Sequence, residues 1–425
     1  MIYSRFLNNI SAARQPSLIR EMTKILAAAP PEMIPLSGGF PNPKMFPFTQ
    51  LTLEVENGQP ISLSGGALQS ALQYLPTNGH PHLLQQLRDL QLEVHKPDQS
   101  VWSNTDIVVT SGSQDGLSKT FEMMLTEGSS VLVEEFVYSG TLSIINPYKP
   151  TYHVIESDDQ GMKPSSLRSV LSRWTPGLNY ADLPKFLYIN PTGANPTGTV
   201  LPLERRKEIL ELCSEYNLLL LEDDPYYYLQ FQEKDQRPPS FFSLDTEGRV
   251  VRFDSFSKIL SSGVRLGFVT GPKPLIERVV LHMQVSVLHA SSLSQVITSQ
   301  LLDQWGHQGF LAHIEAVETF YRARRDRMVT AADKHLAGLC EYSVPLGGMF
   351  LWMRVPGIRD TWQMIMERAM QKNIMLMPGK AFQPETDKPC QHLRAAFSIA
   401  DEQNFEPAME RLAQLIKQEI ELEKL

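Results

Sequence analysis

Short apolar runs alternate with helix-period stretches through the first two thirds of the chain. "DIVVTSG" reads as a strand ending in a turn. "SQDGLSKTFEMML" follows it, with Leu117, Phe121 and Met124 on one helical face. "SVLVEE" and "TYHVIES" are further strands, "PSSLRSVLSRW" is helical, and "KFLYI" is again a strand. "LPLERRKEILELCSEY" groups Ile209, Leu212, Cys213 and Tyr216 on one face, with Pro202 suited to a helix start. "LLLLEDD", "RVVRFDS" and "RLGFVTG" complete the strand series. Strands alternating with helices predict an α/β fold with a mostly parallel sheet between helices.

After about residue 275 the pattern changes. Long helical stretches lead to a strand pair near "GGMFLWMRV" and "QHLRAAFS". A last amphipathic helix carries Met409, Leu412 and Ile416. This predicts a smaller α+β domain. The expected division is an N-terminal arm, 1–45, packing with the small domain; a large domain, 46–315; and the small domain, 316–425. At 425 residues the chain is long enough for two cores.

The net charge of −8 argues against nucleic acid as a partner, since a phosphate backbone is bound through a basic surface. No apolar run approaches the roughly 18 residues that span a bilayer. Cys213, Cys340 and Cys390 form neither a disulfide framework nor metal-ligand spacing, so no metal is expected. The first twenty residues hold Arg5, Arg14 and Arg20 and no acid. That composition suits a mitochondrial transit peptide, hence the matrix, and equally an ordinary arm on a cytosolic protein.

In sheets of this kind ligands sit beyond the carboxyl ends of the strands. Ser111, Gly112, Ser113 and Gln114 follow the first strand and open a helix, where free N–H groups favour an anion; a simple Ser N-cap is the plainer reading. "YINPTGANPTG" follows "KFL" and carries Asn-Pro-Thr-Gly twice. Asp223, Asp224, Pro225 and Tyr226 follow "LLLLE". Asp254, Ser255, Ser257, Lys258 and Arg265 follow "RVVRF". Each stretch alone has a bland explanation as a turn or a solvated surface. Together they meet the demands of pyridoxal 5′-phosphate: a lysine for its aldehyde, a carboxylate for its ring nitrogen, a phenol and an amide for its ring oxygen, and serines with an arginine for its phosphate.

The motifs "NPTG", "DDPY" and "SFSK", with a late "LRAAFS" arginine, resemble fold-type I pyridoxal-phosphate-dependent aminotransferases along nearly the whole chain. "ARQPSLIREM", "GGFPNPKMFPF", "ALQY", "TSGSQDGL", "EDDPYYYLQF" and "DSFSKILSSGVRLGF" are similar to the kynurenine/α-aminoadipate branch of that family. The resemblance implies Lys258 as the lysine that condenses with the cofactor and shuttles protons. It selects Asp223 for the ring nitrogen, Tyr226 and Asn195 for the ring oxygen, and Tyr138 for stacking on the ring. It gives Ser113, Gln114, Ser255, Ser257 and Arg265 to the phosphate, and Tyr74 as a residue supplied by the neighbouring subunit of a homodimer with shared sites. Arg394 is implied as the fork for the substrate α-carboxylate, near which Tyr74, Tyr138 and Asn195 also lie. Arg20, Gly39, Leu288 and Phe350 match positions near the substrate side chain, Arg20 on an arm expected to shift with the substrate. Asp224 is then structural, and Asn190 to Gly193 reads as a turn with no role of its own.

The expected reaction is transamination between a broad range of 2-amino acids, L-kynurenine and L-2-aminoadipate among them, and 2-oxoglutarate. The products are L-glutamate and a 2-oxo acid: kynurenic acid after cyclisation, or 2-oxoadipate. Its partners are then small amino and oxo acids, not nucleic acid or membrane. A broad aromatic or methionine aminotransferase, or a cysteine-conjugate β-lyase, is the alternative on the same fold. A transcription regulator built on such a domain is a different class of reading. It would need a DNA-binding domain ahead of "GGFPNP", which begins by residue 38, and a basic face.

Overall fold

The computed structural model describes every residue except 20, 21, 23–29, 31, 35, 37, 38, 57, 178–181 and 425. The expectation for Arg20 therefore lies outside the described residues.

Seven strands form one mixed sheet: β1 (Thr105–Thr110), β2 (Ser130–Glu134), β3 (Thr151–Ile155), β4 (Phe186–Ile189), β5 (Leu219–Asp223), β6 (Val250–Ser255) and β7 (Gly267–Pro272). Their order is β1-β7-β6-β5-β4-β2-β3. Strand β2 is parallel to β3 and β4, whereas β7 runs antiparallel to both β1 and β6. The run "LLLED" is buried at every position, as a strand covered on both faces requires. Contacts divide the chain into two units. The first comprises Met1–Thr126, Leu221–Pro225 and Pro239–His313; the second comprises Glu127–Leu220, Tyr226–Pro238 and Ile314–Leu425.

In the first unit, helix α1 (Ser113–Met124) buries Leu117, Phe121 and Met124, the face that the periodicity predicts. Gly116 lies against the sheet, where a Cβ would stand 2.5 Å from Val269. Residues 3–17 bond to this same unit. Asn8 Nδ2 donates to the carbonyls of Glu122 (2.6 Å) and Leu125 (2.8 Å), satisfying the C-terminal end of α1, while Ser17 N donates to Gln284 Oε1.

In the second unit, helix α2 (Leu203–Glu215) follows Pro202 and buries Ile209, Leu212 and Cys213. A three-stranded antiparallel sheet has the order β8-β10-β9, with β8 at Phe350–Arg354, β9 at Met377–Pro378 and β10 at His392–Ala396. Helix α3 (Phe405–Leu422) turns Phe405, Met409, Leu412 and Ile416 onto this sheet's Leu351, Met353 and Leu393. Arg394 sits on the middle strand, opposite Trp352 and Met377. Its neighbours Leu393 and Ala395 point to the other face, into that core. Alternation thus leaves Arg394 on the side away from the hydrophobic cluster.

Candidate active site

The first unit builds a cationic, backbone-lined cradle. Strand β1 ends at Thr110, and Gly112 turns the chain into α1 with φ 84°. A Cβ on Gly112 would lie 2.5 Å from Arg265 Nη2, so only glycine lets the guanidinium rest on this turn. Arg265 itself has φ 51° and donates to the carbonyls of Ser262 and Ser111, both at 3.2 Å. Gly267 is equally tight, since its Cβ would stand 2.6 Å from Ser113 N. The N–H groups that open α1 and the Arg265 charge thus gather at one end of the helix, an arrangement that favours an anion. Ser113 and Gln114 are half-buried in the first turn of α1. At the end of β6, Ser255 Oγ accepts from Ser257 N at 3.2 Å, and the short turn Phe256–Lys258 carries a half-buried Lys258.

The two aspartates at the end of β5 separate cleanly. Arg252 is completely buried, and its guanidinium donates to Asp224 Oδ2 at 2.9 Å and to both oxygens of Asp254, with Glu222 Oε2 at 3.2 Å. Gln91 donates to Asp254 as well. Burial pushes the Asp254 carboxyl upward against the pull of Arg252. Asp224 therefore spends its carboxylate on the scaffold. Asp223, also buried, projects to the opposite face of the strand.

The second unit builds a different kind of site. Arg394 is half-buried, its guanidinium 4.1 Å from the Phe350 ring centroid and 4.9 Å from that of Phe382. Its Nη1 donates to Asn195 Oδ1 at 2.6 Å, and its buried Nε has no hydrogen-bond partner among the described residues. Burial pulls its pKa down from the usual arginine value, opposed by Tyr226 and Tyr138. A buried guanidinium donor with no acceptor calls for an oxyanion such as a carboxylate. Tyr226 packs edge-on against Phe350, with centroids 5.9 Å apart. The Tyr138 ring folds back over Gly140, where a Cβ would meet it at 2.5 Å.

The sequence profile of the family "Aminotransferase class I and II" matches residues 53–412. The chain belongs to the class I and II aminotransferases. It is 47% identical to a kynurenine/α-aminoadipate aminotransferase, named as mitochondrial, from Bos taurus, over 99% of this chain and all of that one. Among solved structures, the aminotransferase Aro8 of Candida albicans superposes with a TM-score of 0.87 at 29% identity, covering 99% of both chains. A kynurenine aminotransferase from Pyrococcus horikoshii, solved in complex with PMP, is 31% identical with a TM-score of 0.75, over 98% of each chain.

Within this aminotransferase the remaining expected residues lie in the first unit. Tyr74 is half exposed, with ring contacts to Phe40 (6.2 Å) and His289 (6.1 Å). Gly39 is exposed, with open space where a Cβ would be. Leu288 has φ 71° and donates its N–H to Met283 O. The sequence reading missed Phe382 and Arg252, which no motif marks. It also set aside Asn190, although the doubled tetrapeptide was a visible signal. Among the described residues no group of His, Cys, Asp and Glu could hold a metal, and no helix is long and apolar enough to cross a membrane.

Proposed function

We propose that this chain exchanges the amino group of L-kynurenine or L-2-aminoadipate, within a broad range of 2-amino acids, for the oxo group of 2-oxoglutarate, yielding L-glutamate. The observation that carries the reading is Arg394, held by two rings with a buried Nε donor that no described residue accepts, as a carboxylate shared by every such substrate would require. The choice of donors rests on full-length similarity to the Bos taurus relative.

The cofactor in this reading is pyridoxal 5′-phosphate, and the residues fit it. Arg265, the first turn of α1, Ser255 and Ser257 would take the phosphate in a cradle from which Gly112 and Gly267 keep every Cβ. When bound, the group supplies an electron sink for negative charge at the substrate Cα. Lys258 Nζ takes the Cα proton and later returns it. Asp223 holds a proton at the ring nitrogen, favouring charge that develops only along the reaction. Asn195 Oδ1 is engaged by Arg394, so Asn195 would offer its Nδ2 to the ring oxygen, as would Tyr226 its hydroxyl. Tyr138 would stack on the ring, and Arg394 would orient the substrate through its carboxylate.

A panel of amino donors with 2-oxoglutarate tests the reading. Glutamate formed fastest from kynurenine and 2-aminoadipate supports it. Pyruvate and ammonia from a cysteine conjugate, without glutamate, would replace it with a β-lyase. We propose a mitochondrial location, in the matrix; the Bos taurus relative is named as mitochondrial, and cell fractionation that finds this enzyme in the cytosol would reverse the proposal.

The reading includes a homodimer in which Tyr74 completes the partner's site, with segment 46–315 carrying the cofactor and 316–425 the smaller domain. The motivation is the family resemblance that assigns Tyr74 to the neighbouring subunit; Phe40, Met45, Phe48 and Tyr74 each expose apolar surface that such a partner could cover. Tyr74→Ala and Lys258→Ala should each be inactive, and mixing them should restore part of the activity, because one hybrid site is intact. No recovery from an exchanging mixture would refute the shared site.

A further inference from the structure

The first Asn-Pro-Thr-Gly, Asn190 to Gly193, has no part in the reaction as proposed, yet it is built in with care. Asn190 is buried, and its Oδ1 accepts from the Asn195 N–H at 2.7 Å. That N–H lies in a connection between β4 and α2 and has no sheet ladder to join, so a side-chain oxygen five residues back takes the ladder's place. The Asn190 N–H in turn bonds to the Glu134 carboxylate. Gly193 has φ 57°, and a Cβ there would stand 2.3 Å from Gly348 N; Gly198, at φ 70°, would meet Phe350 O at 2.9 Å. Both copies of the tetrapeptide thus press their glycine against the segment that delivers Phe350. Arg206, completely buried, donates to Pro191 O (3.1 Å), Thr192 Oγ1 (3.2 Å) and Leu201 O (2.8 Å), holding the first turn from below.

We propose that Asn190 and the turn it begins are a positioning element for the substrate-carboxylate site: Asn190 fixes Asn195, Asn195 receives Arg394, and Gly193 fixes the approach to Phe350 beneath the same guanidinium. The inference rests on the reading of Arg394 as the carboxylate fork. A two-step chain of short contacts matters here because displacement of about 1 Å at a binding fork is enough to be felt in the reaction. Asn190 touches neither substrate nor cofactor and acts through Asn195.

The experiment compares Asn190→Val, which removes the acceptor, with Asn190→Asp, which keeps an oxygen at the same place, both in the full-length holoenzyme. Leu212→Ala, a core truncation in α2, is the control for stability loss alone. Asn190→Val is expected to raise the KM for 2-oxoglutarate about tenfold, the weight of one lost hydrogen bond, and to speed deuterium exchange of the peptide containing the Asn195 amide. Asn190→Asp is expected to stay near wild type on both measures. Leu212→Ala is expected to lower the Tm without moving KM. An unchanged KM in Asn190→Val, or an equal rise in Leu212→Ala, would overturn the proposal. If the wild type forms no glutamate at all, the proposed function fails instead, and the exchange comparison still decides whether Asn190 holds Asn195.

Discussion

Arg265 and Arg394 are both proposed to bind anions, yet the chain surrounds them differently. Arg265 is exposed, in a left-handed backbone conformation, resting on a glycine and bonded to two main-chain carbonyls. Arg394 is half-buried between two phenyl rings and bonded to a side-chain amide 199 residues away in sequence. The first site is a property of turns and of a helix start, and solvent shares in its charge. The second is a property of side-chain packing, where a guanidinium has lost water and gained ring faces in return. A site of the first kind tolerates a change of cation, whereas one of the second kind depends on the planar fork.

The largest expected effect lies in the first region and tests whether its aspartates are sorted correctly. Asp223→Asn should lower kcat by about a thousandfold, in the range seen when a group that stabilises developing charge is removed, with little change in Tm. Asp224→Asn leaves Arg252 buried with one acceptor charge fewer, and should cost about 3 kcal/mol of stability with kcat mostly kept. Urea unfolding and steady-state rates on the two variants decide it. The reverse pattern would exchange the roles of the two residues.

The next effect sharpens the contrast between the arginines. Arg394→Lys should cut kcat/KM about a hundredfold for amino and oxo acids alike, since a point charge cannot fork a carboxylate or lie flat between Phe350 and Phe382. Arg265→Lys should weaken retention of the cofactor by about tenfold or less, as befits an exposed charge. Dialysis followed by cofactor titration measures the second, and initial rates measure the first. Equal losses would erase the distinction between a backbone-made and a packing-made site.

That distinction also explains what could be read in advance. The first region is encoded in contiguous strings, "TSGSQ" and "DSFSKILSSGVR", because turns and helix starts are local. The strand and helix order was legible for a similar reason: buried strands and amphipathic faces declare their period within a few residues. The reversed direction of β7 was not legible, since "RLGFVTG" has the same apolar pattern in either sense. Arg394 in "LRAAFS" has no local signal that separates it from a surface arginine, and resemblance alone singles it out. Phe382 could not be found, because its value depends on which segment folds beside it. Asn190 lay between these cases: the doubled tetrapeptide was conspicuous, but a side chain that bonds a backbone N–H five residues on is indistinguishable in sequence from an ordinary turn asparagine.

The smallest expected effect concerns Glu134, which ends β2 in the packing-made region and receives the Asn190 N–H. Burial raises its carboxyl from the usual 4.5 to about 7, against hydrogen bonds from Ser157, Met162 and Asn190 that pull it down. The folded chain therefore binds a proton here that the unfolded chain has already lost between pH 4.5 and 7. Across that window the Glu134 contribution to stability falls as pH rises, and above 7 it is fully lost. Glu134→Gln cannot titrate, keeps an oxygen for the same N–H groups, and should be more stable than wild type at pH 8 by up to about 3 kcal/mol. Its advantage should shrink steadily as pH falls and vanish near 4.5. Thermal melts across the window measure this. The KM for 2-oxoglutarate at pH 8 should hold within about twofold, because the amide oxygen still accepts the Asn190 N–H, although without the charge that the carboxylate carries at that pH. A stability difference independent of pH would mean that Glu134 titrates at its ordinary value. A KM that rises in Glu134→Gln would mean that its charge, and not only its oxygen, is felt at Arg394, and the packing-made site would then have an electrostatic arm reaching back into the sheet.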